Sequence, residues 1–334
     1  MSIDPRVEAI RSWVATRNPG RAFRLEPASA DASFRRYFRV TFDDMSTLVA
    51  MDAPPEREDC RPFLHAQAVL ASAGVHVPAV HATDLERGFL LLSDLGTTTY
   101  LGALDAQSAP ALYDDAITAL VAFQGASRAG VFPDYDRALL ERELALFPDW
   151  YVTRQKAATL SERSQRLLNE AFDRILENNL AQPRVFVHRD YHSRNLMVST
   201  PNPGVLDFQD AVYGPITYDL VSLFRDAYVD WDEGLELDWC IRYWERARRA
   251  GLPVADTFDA FYCDYEWMGV QRQLKVLGIF ARLAYRDGKT GYLDDQPRVA
   301  SYLRRTCARY GALGGLLAVL DELEARPTRA GYTF

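Results

Sequence analysis

The spacing of apolar and polar positions divides the chain into two regions of different character. Residues 5–17 carry apolar positions at helical spacing, and Asn18-Pro19-Gly20 then gives a strong stop signal. Short runs bounded by turn-prone stretches follow at 22–27, 34–40 and 46–53 and read as strands. Residues 59–74 return to helical spacing and end in Gly74. Two more strands are expected at 77–84 and 88–96, joined by Leu85-Glu86-Arg87-Gly88. Residues 20–96 thus read as a mostly antiparallel sheet with one inserted helix. From residue 107 helical spacing takes over, at 108–129, 137–152, 161–180, 216–229, 233–250, 255–285 and 297–323. The exception is 185–210, where two pairs of short strands bracket the charged stretch His188-Arg189-Asp190-Tyr191-His192-Ser193-Arg194-Asn195. The pattern predicts an α+β protein with a small antiparallel β lobe, residues 1–95, and a large, mainly helical lobe, residues 96–334. There are no internal repeats and no low-complexity segments.

Composition narrows the function classes. The 334 residues can bury a large core, and 48% hydrophobic with 25% charged residues is ordinary for a globular protein. A net charge of −8 weighs against a nucleic-acid partner, which needs a basic face for phosphates. No stretch has the length and apolarity of a signal peptide or a membrane span, so a cytoplasmic protein with no membrane partner is expected. Cys60, Cys240, Cys263 and Cys307 are far apart and form no CxxC pair, and are expected as free thiols. Lysine is scarce: only Lys156, Lys275 and Lys289 among 38 basic residues. That limits which side chains can hold a phosphate.

Charge set between two apolar runs calls for a function, because a folded chain avoids burying charge that has none. Asp190 and Asn195 lie five apart on one predicted loop, and Asp207 closes the next apolar run. An acid, an amide and a second acid on neighbouring loops suit phosphoryl transfer. One carboxylate accepts the proton of the attacking hydroxyl, while the amide and the second acid offer hard oxygens to Mg²⁺. The spacing of His188-Arg189-Asp190 to Asn195 follows the kinase pattern H-R-D-L-x-x-x-N. Asp207-Phe208-Gln209 stands where D-F-G would.

On these motifs the chain resembles the aminoglycoside phosphotransferase and choline kinase branch of the protein-kinase-like fold, over residues 25 to 325. The segments "HRDYHSRNLM", "GVLDFQDAVYGPITYDLVSL" and "WMGVQRQLKVLGIFARL" are similar to the bacterial anomeric kinases of N-acetylmuramate and N-acetylglucosamine. The resemblance implies a two-lobe fold, ATP and Mg²⁺ as cofactors, and a part in cell-wall sugar recycling. It implies Asp190 as catalytic base, Asn195 and Asp207 as metal ligands, and Asp219 as a brace of the catalytic loop through its backbone. His188 takes a structural place beside it. The Ser93 carbonyl and Leu95 amide would meet the adenine edge. One family feature is missing: the strand lysine of V-A-I-K is replaced by Met51 or Asp52, and no lysine occurs before residue 156. Small residues through Ser33 would approach the triphosphate, with Arg35 or Arg36, on opposite faces of a strand, as the substitute cation.

The substrate expected is a small amino sugar. Glu143 and Trp150 offer hydrogen bonding and stacking to a ring, and Arg194 flanks the base. Residues 266–286 carry Trp267, Gln271, Arg272 and Lys275, the last two opening a basic stripe that reads either as a solvated face or as the wall of a pocket for a neutral or anionic substrate. A cationic aminoglycoside or choline fits that stripe poorly. Two other readings remain open, a kinase of another small alcohol and a nucleotide-binding pseudokinase. A protein kinase is disfavoured because no activation segment ending in A-P-E follows Asp207. A monomer is expected.

Overall fold

The computed structural model describes residues 4–29 and 34–325. The chain divides into two compact units, residues 1–122 with 194–210, and residues 123–193 with 211–334. This division groups 96–122 and 194–210 with the sheet, so it does not coincide with the lobe boundary after residue 95.

The first unit is built on a five-stranded antiparallel sheet. The strands β1 (Phe23–Ser29), β2 (Arg36–Phe42), β3 (Thr47–Asp52), β4 (Val80–Asp84) and β5 (Phe89–Ser93) pair in the order β1-β2-β3-β5-β4. Alternation along β2 turns Phe38, Val40 and Phe42 to one face. There they join Ala50, Phe89 and Leu91 under Ile10, Trp13 and Val14 of α1 (Pro5–Arg17). All of Phe89–Leu92 is buried, which is why β5 reads as a continuous apolar run. The turn into β5 requires Gly88: its φ is +72°, and a Cβ there would stand 1.8 Å from the Ala53 carbonyl oxygen. The inserted helix α2 (Cys60–Ser72) is capped by the Asp59 carboxylate on the Arg61 amide. Two helices, α3 (Tyr100–Ala103) and α4 (Ala109–Gly125), follow the sheet.

The second unit is helical: α5 (Arg137–Leu146), α6 (Glu162–Ala181), α7 (Tyr218–Phe224), α8 (Glu233–Arg249), α9 (Phe258–Asp287), α10 (Gln296–Arg309) and α11 (Gly314–Ala325). One strand pair, β6 (Arg184–Val187) with β9 (Val212–Pro215), leads into residues 188–193. A second pair, β7 (Leu196–Met197) with β8 (Gly204–Val205), belongs to the first unit. Helix α9 is buried on nearly every position from Tyr265 to Ala281, as a central helix must be, and packs against α5, α6, α7 and α10.

The helix expected over 216–229 is only Tyr218–Phe224, and two others are broken within their expected length. The helix expected over 137–152 ends at Leu146 and continues as a π-helix, Phe147–Gln155. Pro148 has no amide to donate back to Leu144, and Thr153 Oγ1 instead reaches the Pro148 carbonyl at 2.8 Å. The helix expected over 297–323 splits into α10 and α11 at extended Tyr310, before Gly311, Gly314 and Gly315. Among the described residues no helix is long and apolar enough to cross a membrane. All four cysteines are free, and only Cys263 is not fully buried.

Candidate active site

The candidate catalytic loop leaves β6 as His188-Arg189-Asp190, and carboxylates from the two ends of α7 hold its backbone. The buried Asp219 carboxylate accepts from the His188 amide at 2.7 Å and the Arg189 amide at 2.9 Å. Seven residues on, just past the end of α7, the Asp226 carboxylate accepts from the Ser193 amide at 2.9 Å. This second brace was missed in the sequence. Its signal is the Asp219/Asp226 spacing around an apolar helix. Burial raises the Asp219 carboxyl to about 6, against the pull of His188 and the two amide donors. His188 is buried, and its Nδ1 accepts from the Asp190 amide at 3.2 Å, so its other ring nitrogen carries the proton.

Arg189 sits at a φ of +78°, the left-handed region that a side chain normally avoids. Its guanidinium reaches the Glu143 carboxylate of α5 at 2.6 Å. Lys275 of α9 meets the same Glu143 oxygen at 3.0 Å and donates to the Tyr218 hydroxyl at 2.8 Å. The Tyr135 hydroxyl donates to the other Glu143 oxygen. Burial pushes the Asp190 carboxyl up, but Lys275, His192, Arg189 and Arg272 pull it down to about 2. Asp190 is therefore ionised at any ordinary pH and placed to accept a proton.

The expected substrate residues are distributed unevenly around this cluster. Glu143 is buried and occupied by Arg189, Lys275 and Tyr135, so an open sugar acceptor it is not. Lys275 is likewise buried. Arg272 is only 5% exposed, and no hydrogen bond or ion pair engages its guanidinium among the described residues. Gln271 donates to the Leu140 carbonyl at 3.1 Å, and its buried Oε1 has no hydrogen-bond partner. Trp267 meets Tyr310 edge-on at 5.9 Å, toward the α10–α11 junction. Trp150 is half-buried on the π-helix, and Arg194 is exposed. The basic stripe is split: Arg272 and Lys275 face inward, while Arg286 pairs with Asp287 in solvent.

The first unit carries the amide and the second acid. Asn195 precedes β7 and Asp207 follows β8, and the antiparallel register Leu196↔Val205 brings the two together. Asn195 Nδ2 lies 3.4 Å from Asp207 Oδ2, and the Asn195 carbonyl accepts from the Leu206 amide at 2.9 Å. Asp207 is held at a φ of +62°. Phe208 is buried against Phe63 of α2, ring centroids 4.8 Å apart. Gln209, in the place of a glycine, donates to Asp207 Oδ1 at 2.8 Å and was not anticipated. A carboxylate and an amide oxygen are hard donors of the kind Mg²⁺ takes alongside substrate phosphates. Among the described residues no group of three His, Cys, Asp or Glu could hold a metal unaided.

Of the residues expected at the nucleotide, Ser93 closes β5, its hydroxyl accepting from the Ala79 amide at 2.8 Å. Leu95 follows Asp94, which is bound by Arg39 at 2.6 Å. Ser33 lies outside the described residues. Met51 and Asp52, the two residues expected at the strand-lysine position, are both fully buried, and Asp52 is bound by Arg36 Nε at 3.0 Å and Arg6 Nε at 2.9 Å. Arg36 also meets Asp4. Arg36 would therefore have to leave two carboxylates to meet a phosphate. Arg35 stands 3.9 Å from Glu58, just ahead of α2.

Residues 24–252 match the phosphotransferase enzyme family. The N-acetylmuramate/N-acetylglucosamine kinase of Neisseria meningitidis serogroup B is 50% identical over 330 residues, covering 97% of this chain and 98% of that protein. The protein of the same name from Pseudomonas aeruginosa is 53% identical over 301 residues, 89% of each. Among solved structures, a choline/ethanolamine kinase family protein from Mesorhizobium loti matches with a TM-score of 0.63 at 15% identity, over 95% of this chain and 99% of that one. An ADP-bound aminoglycoside phosphotransferase matches at 0.59 and 14%, over 90% and 97%. At such identities these structures speak for the fold alone, which is the α+β fold expected from the sequence.

Proposed function

Because the chain belongs to the phosphotransferase enzyme family and is a phosphotransferase with an alcohol group as acceptor, we propose that it is an ATP- and Mg²⁺-dependent kinase of the anomeric hydroxyl of N-acetylmuramate and N-acetylglucosamine. The observation that carries the substrate class is the charge around Asp190. Lys275, Arg189 and Arg272 stand beside the base, and because Lys275 and Arg189 neutralise Glu143 no free carboxylate is left there to attract a cationic aminoglycoside or choline. The names of the half-identical relatives point to the same sugars.

In this reading Asp190 accepts the proton of the sugar hydroxyl as its oxygen forms a bond to the γ-phosphorus and ADP departs. An anomeric hydroxyl is more acidic than other sugar hydroxyls. A carboxylate held near 2 therefore suffices as base in a loose transition state that asks little of it. Asn195 and Asp207 would hold Mg²⁺, which when bound neutralises charge on the phosphates. Ser93 and Leu95 would meet adenine, and Arg35 or Arg36 the phosphates. Arg272, with no internal partner, would take the lactyl carboxylate of N-acetylmuramate, and Gln271 Oε1 the acetamido N–H. The protein would work in the cytoplasm, in recycling of cell-wall sugars.

A charge-assisted contact contributes about 1.5–3 kcal/mol, roughly ten- to a hundred-fold in affinity. Arg272→Ala should raise KM for N-acetylmuramate by about that factor and spare N-acetylglucosamine, which has no carboxylate. Equal losses on both sugars would assign Arg272 to the fold or the phosphates. Turnover of choline or an aminoglycoside with neither sugar phosphorylated would overturn the substrate.

A further inference from the structure

Glu143 is a buried carboxylate that caps no helix, yet three other segments converge on it. Arg189 from the catalytic loop and Lys275 from α9 share one of its oxygens, and Tyr135 takes the other. Arg189 is the residue immediately before the base, and its left-handed backbone at φ +78° needs external restraint. Asp219 restrains its amide and Glu143 its side chain. In kinases switched on by phosphorylation, an arginine–phosphate pair orders the activation loop. Here the chain passes from Asp207 through β9 straight into α7 at Tyr218, leaving no long segment to carry such a phosphate. The Arg189 guanidinium already has an anion, and that anion is buried.

We propose that Glu143 is a positioning residue, a permanent internal counter-anion for Arg189 that holds the backbone of Asp190 in working geometry, so that the chain is active without phosphorylation of its own residues. The proposal rests on Asp190 being the base. The charges support it: Arg189 and Lys275 together carry two positive charges, and Glu143 and Asp190 two negative ones. Removing the Glu143 charge leaves two cations crowded beside one carboxylate and takes away the guanidinium's buried ion-pair partner. A misplaced base costs turnover far more than it costs nucleotide binding.

The test uses the full chain carrying Glu143→Gln, with Glu143→Asp as the charge-keeping control. Hydrogen exchange is read on peptides covering 186–193, and kcat and KM for ATP are measured alongside. Expected are a parent that is active free of protein-bound phosphate, and a Gln variant that stays folded but exchanges faster in that peptide. Its kcat should fall roughly ten- to a hundred-fold with little change in KM, and Asp should restore part of the loss. Unchanged exchange in 186–193, a kcat loss no larger than the loss of folded protein, or a parent active only when phosphorylated would each overturn the proposal. If Glu143→Gln does not fold, Arg189→Gln, which leaves Glu143 paired with Lys275, takes its place. Faster exchange in 186–193 then supports the proposal, and unchanged exchange overturns it. Exchange is independent of turnover, so a parent that phosphorylates no sugar would sink the substrate reading and leave this one to be decided by the peptide.

Discussion

Asp190 differs from an ordinary surface aspartate in being half-buried and surrounded by cations. Without Lys275, Arg189 and Arg272, burial alone would drive its carboxyl up; with them it lies near 2. Its carboxylate is therefore free to accept a proton above that value and is neutralised only below it. Asp190→Asn should keep the fold and ATP binding while lowering kcat by roughly 10²–10⁴, the usual worth of general-base assistance; an unimpaired kcat would remove Asp190 from the mechanism. Asp207 and Asn195 can be ranked by charge. Asp207→Ala removes a full negative charge and should weaken Mg²⁺-dependent nucleotide binding more than Asn195→Ala, as calorimetry with and without Mg²⁺ would register. If both variants bind Mg²⁺-nucleotide as the parent does, neither residue is a ligand.

At the scale of elements, the packing of α9 on the end of α5 depends on the absence of a side chain. A Cβ at Gly278 would stand 2.4 Å from the Leu146 carbonyl carbon and 2.5 Å from its oxygen, and backbone cannot swing aside. Two effects oppose each other in Gly278→Ala. Helix propensity favours alanine by about 1 kcal/mol, while overpacking against a fixed backbone costs about 1–3 kcal/mol. A net loss in urea unfolding is expected, and a gain would show that the two elements separate easily. Most element identities were legible in the spacing of apolar residues, because period 2 and period 3.6 are local properties. The π-helix was not, since Pro148 announces only that an amide is missing and not which longer-range bond replaces it. The break at Tyr310 was signalled by its glycines but outweighed by the apolar periodicity on either side.

At the scale of the whole molecule, the second unit contains an ion network no short motif reveals. Arg225, fully buried, binds Glu236 at 2.5 Å and Glu266 at 3.1 Å, and donates to Thr306 at 3.0 Å. Those carboxylates also hold Arg305 at 2.6 Å and Arg309 at 2.5 Å, linking α8, α9 and α10. Removing one member of a buried pair leaves uncompensated charge and costs about 3–5 kcal/mol. Arg225→Met should fall near the lower end, because Arg305 and Arg309 remain. Arg309→Ala, at a half-exposed site, should cost about 1 kcal/mol or less. If urea midpoints rank the two variants the other way, the buried arginine is not what joins these helices. Asp190 and its neighbouring cations belong to the second unit, and Asn195 and Asp207 to the first.

The sequence alone carried whatever depends on local order. The H-R-D and D-F motifs pointed to a candidate base and candidate metal ligands because such chemistry needs particular atoms at particular spacings. The change of apolar period named the sheet and the helices. Tertiary structure decided the partner of every charge. Glu143 and Lys275 lie 132 positions apart, and Arg6 and Asp52 46 apart, distances over which no periodicity carries information. So a glutamate expected to face a sugar proved to be bound to Arg189 and Lys275, and an arginine expected near phosphate proved to be held by Asp52. Charge pairing is settled by which surfaces fold against each other, and burial then makes those pairs strong enough to set the pKa of the base.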